Sequence, residues 1–174
     1  QVLDLMFVID TTGSMGDELG YLKSELADVI RRVSSDNENE LLIRTSVNFY
    51  RDEGDEYTVR PFPFSTYLDE VLSQLSSQTA DGGGDYEEAV EQGLDNGVNE
   101  HDWSERAVSR LLFLVLDAPP HHTPEIISSI QETTARAAAL GIRIVPIAAS
   151  GVDKNTEFLL RFMDISTGGT YVFL

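Results

Sequence analysis

Apolar residues fall along this chain in two alternating rhythms. Residues 5–9 form a short unbroken apolar run, the pattern of a strand buried on both faces of a parallel sheet. Leu19, Leu22, Leu26, Val29, Ile30 and Val33 then recur at helical spacing, and residues 34–39 read as a polar connector. Leu42–Tyr50 predicts a second strand. Residues 57–64 contain Pro61 and Pro63 and predict an edge strand or extended hairpin arm, because proline cannot donate to an interior ladder. Leu68, Val71, Leu72 and Leu75 suggest a short amphipathic helix, and residues 87–98 predict another, directly after the flexible run Asp81-Gly82-Gly83-Gly84-Asp85. Residues 111–116 repeat the opening pattern of a fully apolar strand. A helix carrying Ile126, Ile127, Ile130, Ala137, Ala138 and Leu140 is closed by Gly141, and Ile142–Ala148 is a further buried strand. Phe158, Leu159, Phe162, Met163 and Ile165 mark a last helix ending near Gly168-Gly169, before a strand over 170–174.

Strands and helices alternating in this way predict an α/β fold. The expected form is a doubly wound, mostly parallel central sheet with helices on both faces and right-handed crossovers. The 174 residues suit one domain. Gln1 enters the first strand directly and Leu174 closes the last, so the expectation is a single domain over 1–174, excised from a longer protein.

Both fully apolar strands end in a carboxylate, Asp10 and Asp117. In a parallel sheet these acids face the same edge, where open α/β sheets place their ligand sites. An isolated acid after a strand is usually a turn residue or helix cap; two of them change that balance. Asp10, Thr12 and Ser14 also bring three oxygen donors into one turn. Such donors suit Mg²⁺, Mn²⁺ and Ca²⁺, whereas Zn²⁺ draws on His or Cys.

Charge narrows the partners. Thirty acidic residues against twelve basic ones give a net charge of −18, which repels nucleic acid and anionic membranes and concentrates cations. No nucleic-acid partner is expected, and no apolar run approaches the length needed for membrane insertion. The chain has no cysteine, which excludes disulfides and thiolate metal sites.

Asp10-Thr11-Thr12-Gly13-Ser14 resembles the Asp-x-Ser/Thr-x-Ser motif of von Willebrand factor A domains, which begins their metal-ion-dependent adhesion site. The glycine-rich loop before a helix, the strand ending at Asp117 and the order of elements are similar as well, so the resemblance covers essentially the whole chain. It implies a Rossmann-like fold in which hydroxyls coordinate a divalent cation, acids bind it directly or through water, and a partner's carboxylate fills the open position. Carried over by position, the metal residues are Asp10, Thr12, Ser14 and Asp117. Well-known members add a threonine from the loop before the third helix. Here Gly82-Gly83-Gly84-Asp85 is similar to a Gly-Gly-Gly-Asp subgroup, which assigns that position to Asp85, with Thr79 as the alternative. A further departure is Asp117-Ala118-Pro119, where many members have Asp-Gly. The implied function is a non-enzymatic adhesion or interaction module that takes Mg²⁺ first, with Ca²⁺ or Mn²⁺ as alternatives, and recognises an acidic residue of a partner protein.

Two rival functions remain. Haloacid dehalogenase phosphatases also place an aspartate after a first strand and use Mg²⁺, but Thr12 stands where their second acid would act as acid/base. No phosphate-cradling Gly-x-x-x-x-Gly-Lys-Ser/Thr occurs. The third class is a structural domain with a vestigial site. Asp17 and Glu18 resemble the acid pair that holds an adjacent Ca²⁺ in integrin β-subunit domains, yet acids in a first helical turn also suit the helix dipole, the preferred reading. Asp52 is either an outer carboxylate that orients the ligands or a turn acid. His121 and His122, in a proline-rich loop, read as surface residues rather than ligands of a softer metal.

Overall fold

The computed structural model describes residues 1–36, 41–149 and 152–173. Its strands are β1 (Val2–Asp10), β2 (Leu42–Tyr50), β3 (Val59–Arg60), β4 (Ala107–Leu116), β5 (Ile142–Ala148) and β6 (Val172–Phe173). Its helices are α1 (Gly16–Asp36), α2 (Leu68–Ser76), α3 (Val90–Asn99), α4 (Pro124–Ala139) and α5 (Lys154–Thr167). The strands form one sheet in the order β3-β2-β1-β4-β5-β6, parallel except for β3. This is the doubly wound architecture that the apolar pattern predicts.

Alternation along β1 divides the core. Leu5, Phe7 and Ile9 pack with Leu19, Leu22, Leu26 and Ile30 of α1 and with Val71 and Leu75 of α2. Met6 and Val8 face the opposite layer, with Leu94 and Val98 of α3, Ile130 of α4 and Leu160 of α5. Side chains of a strand point to opposite faces in turn, so one apolar run serves both layers. Helix α3 lies close to the sheet because Gly97 has no Cβ: one there would stand 3.0 Å from Met6 Sδ and 3.1 Å from Val8 Cγ2.

Several element boundaries differ from the sequence reading; β4, for one, begins at Ala107 rather than at residue 111. α1 continues through Asp36, so residues 34–36 are helical rather than connector, and the Ser35 hydroxyl donates to Arg32 O at 3.0 Å in that last turn. Residues 37–39 of the expected connector lie outside the described residues. Within 57–64 only Val59–Arg60 pairs as strand. Beyond it the side chains of β2 take over, Ser46 Oγ donating to Phe62 O at 2.7 Å and Asn48 Oδ1 accepting from Phe62 N at 3.0 Å. The helix expected from residue 87 starts at Val90, because Glu88 N donates to Pro119 O at 2.9 Å and Ala89 N to Arg51 O at 3.4 Å. β6 is confined to Val172–Phe173, and Leu174 lies outside the described residues.

Candidate functional site

β1 pairs with β2 on one side and β4 on the other, so strand order reverses between β1 and β4. A crevice opens at such a point, beyond the carboxyl ends of the strands. Asp10 ends β1. Asp117 directly follows β4, whose Val115 pairs with Ile9 of β1.

The loop after β1 is ordered by its own side chains. Asp10 Oδ1 accepts from Thr12 N at 2.8 Å and from Thr12 Oγ1 at 2.6 Å, and Thr12 Oγ1 lies 3.3 Å from Ser14 Oγ. Thr11 points the other way, its hydroxyl 3.1 Å from Tyr50 O and 2.6 Å from the Tyr57 hydroxyl. Residues 10, 12 and 14 therefore share one side while Thr11 anchors the loop to β2. Asp17 and Glu18 occupy the first turn of α1.

Backbone bonds join this loop to its neighbours. Gly13 N donates to Gly82 O and Asp81 N to Thr11 O, both at 3.1 Å, and the glycine loop is held in turn by Gly83 N donating to the Asp55 side chain, Oδ2, at 2.9 Å. Gly83 has φ +75°, and a Cβ there would stand 3.0 Å from Glu88 Oε1 and 3.3 Å from Thr12 Cβ. Only glycine meets both demands without strain. Thr79 is exposed, and its carbonyl accepts from Arg51 Nη2 at 2.9 Å.

The electrostatics of the crevice are unusual. Asp10 is fully buried, Glu88 is 2% exposed and Asp117 9% exposed. Asp10 Oδ2, Asp117 Oδ1 and Glu88 Oε2 have no hydrogen-bond partner among the described residues, and neither has the buried Tyr50 hydroxyl. Burial holds the Asp10 carboxyl well above its usual range; the Thr12 hydrogen bonds oppose that, and the charges of Asp117 and Glu88 reinforce it. Burial and the charge of Asp52 push Glu88 up to about 7. The Tyr50 phenol is raised by burial and by Asp10, Asp117, Glu88 and Glu91. Uncompensated buried acids are costly, and a cation among them would satisfy the free oxygens and relieve the repulsion together. The donors are carboxylates and hydroxyls, the set that suits a hard divalent ion.

Asp85 has a different setting. It is exposed, and its carboxylate converges with those of Asp52 and the imidazole of His121, one ligand atom from each within 4.8 Å of the others. His121 Nε2 lies 2.9 Å from Asp52 Oδ1 and its Nδ1 3.3 Å from Glu87 Oε2. This corrects the reading of His121 as a plain surface residue, while His122 is exposed. Glu88 is the residue that the sequence reading missed. It falls inside the helix expected over 87–98, whereas α3 starts only at Val90 and leaves Glu88 buried.

The model of the von Willebrand factor type A domain matches residues 4–173. The chain belongs to that family. The VWA domain of SpRpn10 superposes with a TM-score of 0.68 at 12% identity, covering 98% of this chain and 87% of that one. The pilus adhesin SpaC of Lactobacillus rhamnosus GG gives 0.75 at 10% identity over 99% of this chain and 28% of its own. Proximal thread matrix protein 1 of the mussel byssus gives 0.71 at 18% identity over 99% and 41%. At these identities the likeness is one of fold. In sequence, an ariadne-like RING finger protein of Acanthamoeba polyphaga mimivirus is 27% identical over 121 residues, 70% of this chain. The chain spans 11% of that relative's length. VWA domains are protein-interaction modules, in general without enzymatic activity. No helix among the described residues is long and apolar enough to cross a membrane.

Proposed function

We propose that this VWA domain binds a protein partner through a divalent cation held at the carboxyl edge of β1 and β4. The observation that carries the reading is the pair of buried, unpartnered oxygens Asp10 Oδ2 and Asp117 Oδ1, beside the hydroxyls of Thr12 and Ser14. Asp10, Thr12, Ser14 and Asp117 would hold the ion. Glu88 supplies a buried negative charge beneath the glycine loop, and Asp85, of the Gly-Gly-Gly-Asp sequence, adds charge from the exposed rim. When bound, the ion supplies a positive centre for an acidic side chain of the partner.

The residues divide the remaining work. Thr12 fixes Asp10 through two hydrogen bonds to Oδ1, which leaves Oδ2 free. The bonds from Gly13 N to Gly82 O and from Asp81 N to Thr11 O tie the hydroxyl-bearing loop to the glycine loop. Mg²⁺ is the preferred ion, with Ca²⁺ and Mn²⁺ as alternatives served by the same oxygens. No catalytic role is proposed for Asp10, because Thr12 occupies the place of a phosphatase's second acid. The test is calorimetric titration with Mg²⁺, Mn²⁺ and Ca²⁺, followed by binding of an acidic peptide at saturating metal. Metal binding without any carboxylate binding would reject the adhesion reading, and absence of both would favour a vestigial structural site.

A further inference from the structure

Beside the first site, four acids and one imidazole meet across three loops that lie far apart in sequence. Asp52 follows β2, Asp85 follows the glycines, and Glu87 and Glu88 precede α3. His121 follows β4 and reaches across to them. Three donors, one each from Asp52, Asp85 and His121, lie within 4.8 Å of one another. Zn²⁺ bonds of about 2.0–2.2 Å place donors roughly 3–4 Å apart, a contraction that Asp85, exposed and next to Gly84, can supply.

Two further observations distinguish this group from a chance cluster of acids. The first is the setting of His121. Its Nδ1 lies 3.3 Å from Glu87 Oε2 while Nε2 faces Asp52 Oδ1 at 2.9 Å. A metal-ligating histidine characteristically has a carboxylate beside its other ring nitrogen; here Glu87 stands beside Nδ1 as a charge partner, while the ring's hydrogen bond is the one between Nε2 and Asp52. The second is Glu88, 2% exposed, with Oε2 lacking any partner among the described residues. The charges of Asp52, Asp55 and Asp85 act on it, and the Thr12 side chain hydrogen-bonds to it, so its carboxylate stands between this group and the first site.

We infer that Asp52, Asp85 and His121 form a second cation site, selective for a borderline divalent transition metal such as Zn²⁺. An imidazole nitrogen with two carboxylates and an open position is the donor set of such ions rather than of Mg²⁺ or Ca²⁺. The site lies next to the oxygen-only site and shares none of Asp10, Thr12, Ser14 or Asp117. Glu87 orients the imidazole and Glu88 adds negative charge at the boundary of the two sites.

The experiment is calorimetric titration of the whole chain with Zn²⁺ in saturating Mg²⁺. One equivalent is expected to bind. His121→Gln and Asp85→Asn should each weaken it by about tenfold or more, while His122→Gln leaves it within about twofold. Asp10→Asn should keep the Zn²⁺ event and lose the Mg²⁺ one, and His121→Gln the reverse. Zn²⁺ bound equally well by His121→Gln, an equal loss in His122→Gln, or no Zn²⁺ binding at all would overturn the inference. Zn²⁺ binding with this pattern but no Mg²⁺ binding would sustain it and reject the first site instead.

Discussion

Asp10 ends β1 and Asp117 directly follows β4, its parallel neighbour, and each keeps one buried carboxylate oxygen without a hydrogen-bond partner. Asp4, at the other end of β1, shows what a buried acid with a structural role looks like. Arg44 Nε donates to its Oδ1 at 3.0 Å and Ser104 N to its Oδ2 at 2.7 Å. One strand thus carries a satisfied carboxylate at one end and a frustrated one at the other, and frustration of that kind is retained where function requires it.

That frustration has a measurable cost. Asp10→Asn keeps an acceptor oxygen for Thr12 and removes the buried charge, so in chelator its melting temperature should equal or exceed that of the parent chain. A gain of about 1 kcal/mol corresponds to roughly 2–4 °C for a chain of this size. A large fall would mean that Asp10 stabilises the metal-free fold.

pH should act in the same sense. Glu88 is raised from its ordinary 4.5 to about 7, so the folded state binds more protons than the unfolded state between those values. Its stabilising contribution is fully present below about 4.5 and is lost as pH rises through about 7. The metal-free protein should therefore carry a destabilising slope across this window, and Glu88→Gln should flatten it. Denaturant unfolding at a series of pH values in chelator checks this; an unchanged slope in the variant would contradict it.

Charge near the ion should matter according to burial. Glu88→Gln should weaken Mg²⁺ binding by about tenfold, whereas Asp85→Thr, at an exposed position screened by water and salt, should weaken it less. At saturating Mg²⁺, Asp85→Thr should bind an acidic peptide as well or better, since one negative charge at the rim is gone. Calorimetry of both variants gives the order; the reverse order would make Asp85 the closer group.

Gly83→Ala and Gly84→Ala separate conformation from space. The first puts Cβ at φ +75° and 3.0 Å from Glu88 Oε1, while the second meets nothing within 4 Å. Gly83→Ala should cost about 1–2 kcal/mol and lower Mg²⁺ affinity, and Gly84→Ala should do neither appreciably. Thermal melts with and without Mg²⁺ distinguish them.

The sequence made the sheet legible because its buried strands are continuous apolar runs, and Asp10, Thr12 and Ser14 stand out in it as candidates because they lie within one turn. Asp117 followed from the same strand-then-acid pattern. Glu88 and the contact between His121 and Asp52 were not, because each depends on pairing between loops distant in the chain. Glu88 is buried where its N–H donates to Pro119 O, and His121 meets Asp52 across 69 residues. No local periodicity encodes either event.

The most direct test is the melting temperature of the parent chain, Asp10→Asn and Asp117→Asn in excess Mg²⁺ and in chelator. At an ion concentration about a hundred times Kd, binding to the folded state alone stabilises by ~2.7 kcal/mol, roughly 5–10 °C here. That rise is expected in the parent chain and in neither variant. Identical melting with Mg²⁺ and with chelator in the parent chain, or an undiminished rise in the variants, would contradict it.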